Sequence, residues 1–161
     1  MNHLAALLCL TFATAAAAAP SHLIVAGGAW AGFDRGEVCE AKARPIIPAR
    51  KAEAEPFAAV AFDRTGSRHG QLFIQLRRPV RAGSSVVLSI GDQPFLLIAG
   101  TASAWSRDAR QEAAIIAAMR DGGGMRVEAR DYAGRRMSDR YLLDGAPTAI
   151  DAAAAACSLT R

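Results

Sequence analysis

The chain is poor in the residues that most often carry chemistry. Its 161 residues include only three cysteines and three histidines, and its only lysines are Lys42 and Lys51. No C-x-x-C pair is present, which removes the common dithiol redox motif. His22 and His69 stand apart from any Cys, Asp or Glu at metal-ligand spacing, so no zinc site is expected. Ser84, Ser85 and Ser103 lack the G-x-S-x-G context of an activated nucleophile. Asp121-Gly-Gly-Gly124 has no following Lys-Ser/Thr and leads into a strand pattern, so it reads as a helix stop rather than a phosphate loop. The expectation is a non-enzymatic protein without catalytic residues, metal or cofactor.

Charge is missing from the first 33 residues. The first charged residue is Asp34. Before it, Leu4 to Ala13 forms an apolar core of signal-peptide length. Ala15 to Ala19 then offers A-x-A cleavage options before Pro20. The run is too short for a membrane span. A leader over 1–19 is expected, although its start, Met-Asn-His, carries no Lys or Arg. The competing reading is a buried alanine-rich helix. Cys9 follows Leu8, not the small residue a lipoprotein site needs, so it leaves with the leader and no lipid anchor is expected. Residues 20–161 then form one domain, periplasmic or secreted, with its core over 28–157.

Removing the leader leaves Cys39 and Cys157. An even number in an oxidising compartment reads as a disulfide. The two cysteines stand 118 positions apart. Closing a loop of that size stabilises by about 4–5 kcal/mol in the chain-entropy description, comparable with the net stability of a small domain.

What is present is mostly strand pattern. Pro20 to Ala26 reads as a lead-in and Gly27 to Phe33 as a first strand. Val38–Ala43 alternates as a second. Pro45, Pro48 and Pro56 bracket a small, charged stretch, so 45–56 reads as an exposed loop. Phe57–Phe62 and Gln71–Leu76 are apolar strands, and Val86–Ile90 with Phe95–Ile98 reads as a hairpin about Gly91-Asp92. Asp108 caps a helix with Gln111 at the reciprocal position of a capping box. Ile115, Ile116 and Met119 share its apolar face, and Gly122 ends it. A second hairpin turns at Ala133-Gly134-Arg135, a loop that sets Glu128 opposite Arg140 and Val127 opposite Tyr141. Pro147 opens a last helix through Ala156, whose Ile150, Ala153 and Cys157 lie on one face. The expected class is mainly β or α+β. It is an antiparallel, sandwich-like domain of seven or eight strands, with one mid-chain and one C-terminal helix.

Arginine carries the basic charge. Arg64, Arg68, Arg77, Arg78 and Arg81 gather about one predicted hairpin and form the candidate partner-binding patch. Arg126, Arg130, Arg135, Arg136 and Arg140 gather about another, partly neutralised by Glu128, Asp131 and Asp139. A solvated, salt-bridged face is the bland alternative for both. The expected partner is an envelope or host protein, or an anionic glycan. Nucleic acid is not expected for an exported chain. Trp30 and Trp105 read as core or rim. A rival reading is an envelope hydrolase built on the clustered acids Asp108, Glu112, Asp131 and Asp139. A third is an inhibitor that plugs a lytic enzyme with a protruding loop.

Several phrases occur in a telling order. They are Phe95-Leu-Leu-Ile98, Ala104-Trp105, Ile116-Ala-Ala-Met-Arg-Asp-Gly122, Met125-Arg-Val127, Gly134 and Ser138-Asp-Arg-Tyr-Leu-Leu-Asp-Gly145, ending in an alanine-rich helix with Cys157. Upstream stand Trp30, Cys39-Glu-Ala41, Pro45 and the turn at Ile90-Gly91. Over most of 28–157 the chain resembles the invasion-associated locus B family of exported bacterial envelope proteins. The resemblance implies a periplasmic or envelope protein linked by name to host-cell entry, with both cysteines where the family places its own. It implies no catalytic residues.

Overall fold

The structure is a computed structural model that describes residues 21–81 and 83–158; the expected leader, 1–19, lies outside the described residues. Those residues form ten strands and two helices. The strands are β1 (His22–Gly27), β2 (Trp30–Asp34), β3 (Val38–Ala43), β4 (Phe57–Asp63), β5 (His69–Gln75), β6 (Val86–Ile90), β7 (Gln93–Ala99), β8 (Ser103–Trp105), β9 (Gly124–Arg130) and β10 (Arg136–Leu142). Helix α1 (Ala109–Asp121) lies between β8 and β9, and α2 (Ala146–Ser158) follows β10. Every pairing is antiparallel, and the strands lie side by side in the order β1-β2-β3-β4-β5-β8-β7-β6-β9-β10. The mainly antiparallel class with two helices is therefore as the pattern indicated, with ten strands among the described residues in place of seven or eight.

Alternation decides which face is buried. On β3, Cys39, Ala41 and Ala43 are buried while Val38, Glu40 and Lys42 are half-exposed. Pairing continues that inner face across the sheet, through Ala43, Ala58, Ile74 and Ala104 in one row and Ala41, Val60 and Leu72 in the next. Val86, Leu88, Ile90, Met125, Val127 and Tyr141 extend the same core on the other half. Helix α2 covers the inner face of β1 to β4 with Ala149, Ile150 and Ala153. Small residues allow a close approach: a Cβ on Gly32 would lie 3.4 Å from the Ala149 carbonyl oxygen. Cys39 and Cys157 are joined as a disulfide, Cα to Cα 5.7 Å, which fastens the last turn of α2 to β3. Helix α1 lies over β5 and buries Ile115 and Met119.

The two ends of the strand order are stitched together. Gly28 (φ +59°) and Gly145 (φ +81°) bring the β1–β2 turn against the β10–α2 linker, and a Cβ on Gly145 would lie 1.9 Å from the Gly27 carbonyl oxygen. Only glycine fits that contact. The Ala29 amide donates to Asp144 O at 2.9 Å, Trp30 Nε1 donates to Leu142 O at 2.8 Å, and the Ile46 amide donates to Arg140 O at 2.8 Å. The segment after β3 thus lies along β10, and we call this junction the seam.

Four expectations are corrected. The lead-in to Ala26 is β1, because Gly28 and Ala29 form a tight hairpin turn and leave His22–Gly27 to pair with β2. β8 was not foreseen; three residues are too few to show alternation. The β9–β10 register is two residues away from expectation. Glu128 faces Ser138, Val127 faces Asp139 and Arg126 faces Arg140. The longer loop is organised by Asp131, whose Oδ1 accepts from the amides of Ala133 (3.0 Å) and Arg135 (2.8 Å). Finally, Gly122 ends α1 with φ −87°, not in the left-handed conformation. Its smallness is what the site requires, since a Cβ there would lie 2.9 Å from Ile90 Cγ2. The cap itself forms: Asp108 Oδ1 accepts from the Gln111 amide at 2.8 Å. The reciprocal bond reaches one residue further, from the Arg107 amide to Gln111 Oε1 at 2.7 Å.

Candidate functional site

The five arginines singled out in the sequence do not form one patch. Arg64 and Arg68 lie at the β4–β5 turn, whereas Arg77, Arg78 and Arg81 follow the opposite end of β5. A seven-residue strand separates the groups by about 20 Å. Arg64 reaches across to Asp34 Oδ2 (2.9 Å), Gly36 O (2.7 Å) and Ala156 O (2.9 Å), tying the β2–β3 turn to the end of α2. Arg68 lies 3.3 Å from Asp63. Asp63 collects the Ser67 and Thr65 hydroxyls and the Ser67 amide, bonds that hold its carboxyl far below the ordinary range.

Arg77 and Arg78 are interior groups of a network. Arg77 binds Asp139 through Nε (2.9 Å) and Nη2, and Glu53 Oε2 through Nη1 at 2.9 Å. Its Nη2 also donates to Ile47 O at 3.2 Å. Arg78 reaches Glu53 Oε1 at 3.0 Å and Asp131 Oδ2 at 3.1 Å, and Asp131 also binds Arg135 at 2.8 Å. Asp131 and Asp139 are buried and Glu53 nearly so. The 45–56 stretch is a loop, as expected, but it is strapped down: Glu53 anchors its middle, and Pro45 and Pro56 are buried at its ends. Hydrogen bonds from the Arg50 amide and from Arg77 lower the Glu53 carboxyl below its usual value, against the opposing effect of burial. Burial pushes Asp131 up, but the Arg135 amide and guanidinium and the charge of Arg78 hold it low on balance. Arg81 alone of the three points outward, over the Tyr132 ring at 5.6 Å.

The four acids of the hydrolase reading are also dispersed. Asp108 caps α1 and Glu112 accepts from Ser106 Oγ at 3.2 Å, while Asp131 and Asp139 belong to the arginine network. His69 is exposed beside the β4–β5 turn. Among the described residues no group of three or more His, Cys, Asp or Glu side chains is placed to hold a metal ion. No helix among them is long and apolar enough to cross a membrane.

A concavity lies on the outer face at the seam. It is open, about 670 Å³, and is lined by Trp30, Ala31, Phe33, Arg35, Lys42, Arg44 and Ile46 among others. Ile46 and Leu142 form a ridge that it shares with a second hollow of about 260 Å³, which adds Arg126 and Arg140. Five cations therefore line these two adjoining hollows, together called the seam groove, and none of the lining residues is acidic. Arg35 pairs with Glu40 at 2.7 Å and Arg126 with Glu128 at 3.2 Å, both beyond the lining. Arg44 and Arg140 make no side-chain ion pair among the described residues. Lys42 Nζ sits 3.5 Å from the Phe57 ring centroid, and burial lowers its pKa. The ridge is apolar and open, with Ile46 57 % and Leu142 50 % exposed. The arrangement suits an anion with apolar surface: charge meets the rims and carbon the ridge.

Sequence reasoning missed this groove because its parts come from positions 26–46, 89–91, 124–126 and 140–142, which only the seam brings together. One signal was readable: Lys42 and Arg44 flank a buried alanine on an otherwise well-alternating strand. No family model, no curated protein and no solved structure matches this chain.

Proposed function

We propose that this is an exported, non-enzymatic envelope protein, periplasmic or secreted and of the invasion-associated locus B kind, that acts by binding an anionic partner in the seam groove. The observation that carries the reading is the acid-free lining of a groove rimmed by five cations. Such a surface concentrates negative ligands and orients them along the rim. The buried network around Arg77 and Arg78 already serves the fold. The binding role expected of those arginines therefore passes to Lys42, Arg44, Arg126 and Arg140. The ordered residue phrases support the family reading, and the disulfide fits an oxidising compartment.

The test is retention on a sulfated-polysaccharide matrix, eluted by salt. Arg44→Glu with Arg140→Glu should cut affinity at least tenfold and move elution to lower salt, with the melting temperature little changed, since both side chains are exposed. Equal retention of the double variant removes the reading.

A further inference from the structure

The outer face carries a second feature that runs into the seam groove. Strand pairing sets Lys42, Ala59, Phe73, Trp105 and Ile98 in one row across β3, β4, β5, β8 and β7. Neighbouring strands lie about 4.8 Å apart, so the row is about 19 Å long. Phe57, two residues before Ala59, shares this face. Its ring lies under Lys42 Nζ and its centroid is 5.8 Å from that of Phe73. Phe57, Phe73 and Trp105 are half-buried, Ile98 is exposed, and Ala59 and Ala61 on the same face are buried. Phe73 and Trp105 are therefore partly open on this face, beside the small residue Ala59. Gln71, Gln75 and Ser103 occupy the adjacent rows of the same face. The carboxylate in those rows, Glu40, is tied to Arg35.

Resting on the anion-binding reading above, we infer that the partner is an acidic oligosaccharide. Its sugar rings stack along Phe73 and Trp105, and its acidic group is held by Arg44 and by Lys42, whose ammonium covers the Phe57 ring. The chemistry favours a sugar chain. Aromatic faces pair with the C–H faces of pyranose rings, and amide and hydroxyl side chains beside them match sugar hydroxyls. A peptide that adds as a strand is not accommodated, because β4, β5 and β8 are paired on both edges. A lipid surface calls for apolar side chains projecting past a basic rim, whereas these rings are half-buried and Phe73 is flanked along its strand by the carboxamides of Gln71 and Gln75. Charge sits at one end of the row, so an acidic group sets the direction of the chain.

The two tryptophans make the test direct. Trp30 is 2 % exposed and bonded to Leu142 O, while Trp105 lies half-exposed in the row. A ligand on the row changes Trp105 emission, and Trp105→Phe isolates that signal from Trp30, which lines the adjoining groove. The full mature chain should be titrated with a uronic-acid oligosaccharide, its neutral counterpart, polyglutamate, a single-stranded oligodeoxynucleotide and anionic vesicles. The expected result is an emission change with the acidic oligosaccharide alone. Affinity should fall at least tenfold in Phe73→Ala and Trp105→Ala, read by calorimetry, and recover in Trp105→Phe. Gln71→Glu, which adds a negative charge without changing shape, should weaken binding several-fold and serves if a truncation fails to fold. If binding depends on Arg44 and Arg140 but ignores Phe73, Trp105 and Gln71, the sugar assignment falls and the anion reading stands. If it ignores Arg44 and Arg140, the anion reading falls. Tighter binding of the oligonucleotide or the vesicles through the same residues overturns the sugar assignment.

Discussion

Helix α2 and the 45–56 loop are both laid onto the sheet from outside its ladder, and they are held by opposite means. α2 buries Ala146, Ala149, Ile150, Ala153 and Cys157 and ends in a covalent bond to β3. Between its two buried prolines, the loop has only Ala49 and Glu53 that are not exposed, and ion pairs from Arg77 and Arg78 hold it. Apolar contact and a disulfide ignore pH and salt but answer to reductant. A carboxylate–guanidinium network ignores reductant and answers to acid. The same small domain thus has one redox-sensitive and one acid-sensitive fastening, and each can be released while the other holds.

Releasing the covalent fastening should have the largest effect. Cys39→Ala with Cys157→Ala should lower unfolding stability by about 4–5 kcal/mol, measured by denaturant titration, while amide exchange in 45–56 stays as slow as before. A loop that loosens as well breaks the comparison. On the ionic side, Arg77→Met leaves the buried Asp139 without its ion-pair partner, while Glu53 keeps Arg78, and should cost about 3 kcal/mol. Combining it with Asp139→Leu should recover most of that loss, since both charges are then gone. Acid sharpens the contrast. Glu53 and Asp131 titrate lower in the fold than in the unfolded chain. Their contribution is therefore complete above the ordinary carboxyl range, near pH 4, and is lost as pH falls through the lower folded values. Hydrogen exchange should show 45–56 opening below about pH 4 before α2 does. The smallest effect is expected at Tyr141, beside the network, whose hydroxyl is buried with no hydrogen-bond partner among the described residues. Tyr141→Phe should leave stability unchanged or raise it by up to about 1 kcal/mol in thermal melts.

Local grammar made much of the fold legible. β3 alternates cleanly, β6 and β7 meet at Gly91 with φ +55°, and Asp108 caps α1 where the pattern placed it. The paired cysteines were legible by counting. What was hidden depends on contacts distant in the chain. Gly28 read as part of a first strand and Gly145 as the end of a residue phrase, yet their meeting creates the seam and with it the groove. Arg77 and Arg78 read as a basic surface, because nothing near them in sequence supplies Glu53, Asp131 or Asp139. The outer aromatic row was equally invisible: Phe57, Phe73 and Trp105 become neighbours only through the β4–β5 and β5–β8 registers.

The bond between Cys39 and Cys157 also sets a schedule. One partner lies in the third strand and the other in the last turn of the last helix. Whatever forms early in the growing chain, the lock cannot close until residue 157 is free to reach residue 39. A bond across 118 residues therefore works as a check on order: everything from β3 to α2 must have been made before it can close.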